Sequence, residues 1–143
     1  MDKVLFSYPT LLKEELEPNQ IYLPEPLITG VKSNSIQSFV ITAGLALQTN
    51  KRFVTELDIL FEGSGRVMAG DMSGKVEHPV RTIIQNNQLI YLSSMYAKNV
   101  EVTKSGCYEI SVTIYSLSEN DEKSETVIDR HSSFFFILTE DEQ

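Results

Sequence analysis

The chain has 143 residues, 41% of them hydrophobic and 22% charged, with a formal net charge of −8. That length predicts one domain with a core large enough to stand alone, burying roughly 68% of the unfolded surface, and the apolar content excludes a disordered chain. The charge is uneven: residues 1–118 hold 12 acids and 10 bases while residues 119–143 hold 8 acids and 2 bases, which argues against a nucleic-acid surface built on clustered Lys and Arg.

In chain order, Val4-Leu5-Phe6-Ser7-Tyr8 predicts a first strand closed by Pro9. Thr10 then caps a short helix through Leu11–Glu17, which Pro18 stops. Pro24 and Pro26 extend the next stretch, and Leu27-Ile28 ends at Gly30. From Phe39 to Leu47 the alternating positions are largely apolar or small on both faces, so this strand is expected to be covered on both sides or to lie near a bulge at Gly44. Phe53, Thr55, Leu57, Ile59 and Phe61 make one face of the following strand, with Glu56, Asp58 and Glu62 on the other.

Gly63-Ser64-Gly65 marks a turn, Arg66–Ala69 a short strand, and Gly70–Pro79 a long surface loop. Val80–Ile84 and Gln88–Leu92 flank Asn86-Asn87, a hairpin turn signal. The period-2 pattern is strongest after Gly106, where Tyr108, Ile110, Val112 and Ile114 share one face and Glu109, Ser111 and Thr113 the other. The apolar set is expected to face the core opposite Phe39, Ile41, Leu57 and Ile59. Thr126–Leu138 closes the fold.

About eight short strands and almost no helix predict an all-β, single-domain antiparallel β-sandwich over residues 1–138, with a short N-terminal strand and helix extension and an acidic tail at 139–143. Asn99-Val100-Glu101-Val102 and Ser105-Gly106-Cys107-Tyr108-Glu109-Ile110 resemble the approach to the penultimate strand of immunoglobulin-like domains. There a Tyr at the sandwich corner ties its hydroxyl back to upstream backbone. The resemblance covers about a dozen residues and implies immunoglobulin-like architecture. The inter-sheet disulfide is absent, because Cys107 is the only cysteine, Ile110 stands where the second would be, and the chain has no Trp.

No catalytic or cofactor signature emerges. Gly63–Gly70 lacks the third glycine of a dinucleotide fingerprint, and Gly70–Val76 is one residue short of a phosphate loop. His78 and His131 are too few and too far apart to predict a metal site. Cys107 has no catalytic companion motif, and no Gly-x-Ser-x-Gly elbow occurs. The sequence therefore predicts no cofactor and no metal, and points away from an enzyme, unless tertiary structure brings His78 or His131 beside a carboxylate. Without Trp, a sugar platform would fall to Tyr91, Tyr96 or Tyr115.

Two features suggest a partner. In Phe134-Phe135-Phe136-Ile137 one face must fill the core, and the other is either covered by the N-terminal segment or left to associate; Phe135 and Ile137 are taken as the associating face. The acidic stretch with Glu119, Asp121, Glu122 and Glu125 is the second candidate surface. The expectation is a non-enzymatic protein-binding or adaptor module that binds a protein partner or a second copy through its last strand. The alternative is an acidic inhibitor or immunity-type protein occluding a basic site. No apolar run reaches the ~20 residues of a membrane span. Nor do the first residues form a secretory h-region, so a cytoplasmic address in a bacterial or phage setting is expected.

Overall fold

The computed structural model describes residues 2–13, 21–62, 65–68, 74–77, 83–118, 120 and 123–142. Among the described residues ten strands pack as two sheets: β1 (Lys3–Leu11), β2 (Leu27–Val31), β3 (Ser35–Gln48), β4 (Phe53–Phe61), β5 (Gly65–Arg66), β6 (Gly74–Glu77), β7 (Ile83–Gln85), β8 (Gln88–Val102), β9 (Gly106–Leu117) and β10 (Lys123–Thr139). The first sheet runs β1-β3-β8-β6, with β7 also paired to β8; the second runs β2-β10-β9-β4-β5. The architecture is an immunoglobulin-like β-sandwich without a disulfide. Its pairs are antiparallel except at one edge, where β2 lies parallel to β10. Among the described residues no helix is long and apolar enough to cross a membrane.

The alternating sets meet between the sheets. Tyr108, Ile110, Val112 and Ile114 are all fully buried, as are Phe39 and Ile41 on the facing sheet. Leu57 and Ile59 are buried too, but they lie beside β9 in the same sheet, registered with Val112 and Ile110. The corner forms as the resemblance implied: Tyr108 donates its hydroxyl to the Lys104 carbonyl at 2.8 Å. The ring of Phe61 meets that of Tyr108 edge-on at 4.9 Å. Asn86 and Asn87 both take positive φ, 52° and 60°, the pair of left-handed residues that a two-residue type I′ hairpin requires.

β3 is buried on both faces from Phe39 to Leu47. Phe39, Ile41, Ala43, Leu45 and Leu47 join the core. On the outer side the Phe6 ring lies directly on Gly44, so closely that a Cβ there would fall below 3.0 Å from it. The bulge sits on the partner strand, where the register slips between Val4 and Phe6.

Several local expectations change. β1 runs through Pro9 to Leu11 instead of stopping at Pro9. The Pro9 carbonyl points away from β3 and accepts the Glu25 N–H at 3.0 Å, so the missing amide falls on the free side of an edge strand and removes no ladder bond. Of the expected helix, Leu11 is strand, Leu12 and Lys13 are not helical, and 14–17 lie outside the described residues. The long loop contains β6, paired with β8, while 70–73 and 78–79 lie outside the description. β8 is one strand across Ser93–Ala97, which connects the expected Gln88–Leu92 strand to the Asn99-Val100-Glu101-Val102 segment.

The last strand ends one residue beyond Leu138. Thr139 is fully buried, and its N–H donates to Ser105 Oγ at 2.8 Å. The acidic end then makes a 3-10 turn at Glu140–Glu142, where Asp141 accepts both the N–H and the hydroxyl of Ser33. Those bonds hold the Asp141 carboxyl below its ordinary value, the hydroxyl bond contributing most.

Candidate functional site

β10 decides which aromatic side chains remain available. Its antiparallel register places Phe135 directly opposite Tyr108 on β9. Directly opposed residues share a face, and the corner bond fixes Tyr108 inward, so Phe135 must also point inward. Its ring packs 5.7 Å from those of Phe39 and Tyr108.

Phe135 and Ile137, expected as the associating face, are therefore core residues, 3% and 0% exposed. The opposite parity faces solvent: Phe134 is 62% and Phe136 50% exposed, and Leu27, registered with Phe136 across the parallel pair, is 55% exposed. Keeping Arg130 outside favours this parity, because a buried guanidinium would need a partner. Two of the polar inward groups, Asp129 and Ser133, find partners at the β1 edge. Asp129 accepts the Val4 N–H at 2.8 Å, and Ser133 bonds Ser7 at 2.6 Å. β1 thus covers the inner side of β10 and leaves the outer side open.

Cross-strand rows build the outer face of the second sheet. From one end they read Val54–Tyr115, then Glu56–Thr113–Arg130, Asp58–Ser111–Ser132, Leu60–Glu109–Phe134, and finally Cys107–Phe136–Leu27. The face is thus divided into a polar centre and an apolar end. In the centre, Thr113 is nearly buried while Glu56 and Arg130 stand exposed beside it, which makes a groove along β9. Its volume is 480 Å³. Arg66 Nε reaches Asp58 Oδ1 at 2.8 Å, an exposed pair whose value is positional more than energetic. Arg130 Nε donates to Thr113 Oγ1 at 3.3 Å, and Ser132 Oγ donates to Glu109 Oε2 at 2.7 Å.

A second concavity, 440 Å³, opens at the end of the sandwich between Asn50–Phe53 and Ser116–Ser118. His131 lines neither hollow; its ring faces inward with Nδ1 buried and without a hydrogen-bond partner among the described residues. No group of three or more His, Cys, Asp or Glu that could hold a metal gathers among the described residues. Cys107 is half-buried in the row of Phe136.

Glu119, Asp121, Glu122 and His78 lie outside the described residues, and of Glu125 only its place in β10 is described. Tyr115 lines the groove. Sequence reasoning missed Leu27 and the convergence of Glu56, Asp58, Arg66 and Arg130. The polar face of each strand was visible as alternation, but which polar face neighbours which depends on register. A scan against protein-family models finds no match to this chain, and a search of curated proteins finds none either.

Proposed function

We propose that this domain is a non-enzymatic protein-binding module that contacts its partner through the outer face of the second sheet, around Phe134, Phe136 and Leu27. One observation carries the reading: three large apolar side chains, each at least half exposed, stand side by side in adjacent strands. Aromatic residues on a rigid sheet supply contact area at low entropic cost, and a contiguous apolar surface on a soluble domain marks an interaction site. Glu109 at the edge of the patch gives it a polar rim. The partner is a different protein or a second copy of this chain, in keeping with a cytoplasmic address for a chain with one cysteine.

Pull-down from a native lysate with the wild-type chain and with Phe134→Ser/Phe136→Ser tests this, alongside sedimentation of each alone. A specific partner, or a dimer, lost in the double variant supports the module. Identical retention and identical sedimentation for both chains would remove the patch from consideration. The acidic-inhibitor alternative rests on Glu119, Asp121, Glu122 and Glu125 and on the Glu140–Glu142 tail, and no observation on the described surface favours it.

A further inference from the structure

We propose that the groove along β9 is a binding site for a neutral carbohydrate, separate from the apolar patch at the other end of the same face. The donor set carries the inference. Two carboxylates, Glu56 and Asp58, and two guanidiniums, Arg66 and Arg130, surround a floor of Ser111 and Thr113 hydroxyls. The groove is formally neutral in a chain of net charge −8.

Charge balance selects among ligands. An anion would meet two carboxylates and a cation two guanidiniums, so neither gains a net field. An apolar ligand would strip water from charged groups and offer nothing in return. A sugar hydroxyl is donor and acceptor at once, so it can give its proton to a carboxylate while accepting from a guanidinium or a neighbouring hydroxyl. The walls provide that pairing in one row, with Glu56 on one side of Thr113 and Arg130 on the other. Tyr115 lines the groove in the next row and adds an aromatic surface for the C–H face of a sugar ring.

The geometry suits a weak, preformed site. The groove residues come from β4, β5, β9 and β10, and three of these strands are neighbours in the middle of the sheet, so little ordering is needed on binding. Its 480 Å³ lies within the ~300–1,000 Å³ typical of small-molecule sites. An open, solvated groove of this kind is expected to bind weakly, because the ligand must displace water from each polar group.

The test is a ¹⁵N–¹H titration of the whole chain with maltotriose, cellotriose, xylotriose, mannotriose and chitotriose, each to millimolar excess. The proposal expects saturable shifts at Ser111, Thr113, Tyr115 and Arg130 with at least one of them. Glu56→Gln and Arg130→Met, each checked for an unchanged urea midpoint, should each weaken binding about tenfold, the loss of about 1.4 kcal/mol. Phe134→Ser/Phe136→Ser should leave saccharide binding intact, which separates this site from the protein-binding reading. Three results would overturn the proposal: no saturable shift with any of the five sugars, shifts undiminished in both groove variants, or the same residues responding to inorganic phosphate instead.

Discussion

Truncating Phe135 and Phe134 in turn should give very different stability losses, although the two are neighbours in sequence and chemically identical. Phe135 is 3% exposed and its ring packs against Phe39 and Tyr108. Full burial of an aromatic removes about 150–250 Å² from water, which at ~25 cal/mol/Å² is worth about 4–6 kcal/mol. Alanine keeps a fraction of that and leaves a cavity that Phe39 and Tyr108, held from opposite sheets, fill only partly. Phe135→Ala should therefore cost about 3–5 kcal/mol. Phe134 is 62% exposed and lies beside Glu109, so Phe134→Ala should stay within about 0.5 kcal/mol of wild type. In urea, with m near 2 kcal/mol/M, the first variant should lower the midpoint by about 2 M at unchanged slope and the second by no more than about 0.3 M. Equal losses, or a larger loss for Phe134, would falsify the assigned parity of β10 and with it the exposed patch.

Other consequences can be measured in the same way. Tyr108→Phe keeps the ring and removes only the bond to the Lys104 carbonyl, so it should cost about 1 kcal/mol by urea unfolding; a loss comparable to Phe135→Ala would show that the corner bond does more than a single hydrogen bond can. Gly44→Ala forces the Phe6 ring off β3 and should cost about 1–3 kcal/mol, most of it recovered when Phe6→Ala is added; strict additivity of the two changes would contradict the close approach. Asp141 is held below 3.8 by Ser33, so its contribution is fully present above pH 3.8 and is lost as pH falls through the lower folded value. A carboxyl ¹³C titration should find Asp141 below 3.8, and Ser33→Ala should return it toward that figure; an Asp141 that titrates at or above 3.8 in the wild type would mean the contact is not formed in solution.

The sandwich was legible because alternation is a local property. Ile110 and Asp58 each sit in a run whose two faces differ sharply in polarity, so a one-residue slip would bury a charge. The hairpin at Asn86-Asn87 and the corner at Tyr108 were legible for similar reasons, since each is specified within a few residues. The parity of Phe134-Phe135-Phe136 was not. Both faces there are apolar, and the choice depends on the β9–β10 register, which slips twice between Lys123 and Asp129. Each slip changes which residue opposes which, and no residue type announces it. β8 escaped notice between Ser93 and Ala97 for a different reason. Ser93 is fully buried in the core and its hydroxyl has no hydrogen-bond partner among the described residues, so the strand carries a polar residue where alternation calls for an apolar one.

The groove was hidden by the same dependence on register. Glu56, Asp58, Ser111 and Thr113 were each read correctly as outward and polar. Arg66 and Arg130, 64 positions apart, reach that face only because β5 joins β4 and β10 joins β9. Neither arginine belongs to a motif, and their meeting with two carboxylates is a product of strand order alone.

On the proposed reading, binding depends on two side chains of the exposed β10 face, Phe134 and Phe136, that contribute little to stability. Side-by-side pull-down and urea unfolding of the wild type and Phe134→Ser/Phe136→Ser measure that directly. The double variant should unfold within about 1 kcal/mol of wild type, as exposed substitutions do, and lose the specific partner or self-association that the wild type shows. A double variant that keeps every partner of the wild type would contradict the account, as would one whose binding disappears only because the domain has unfolded.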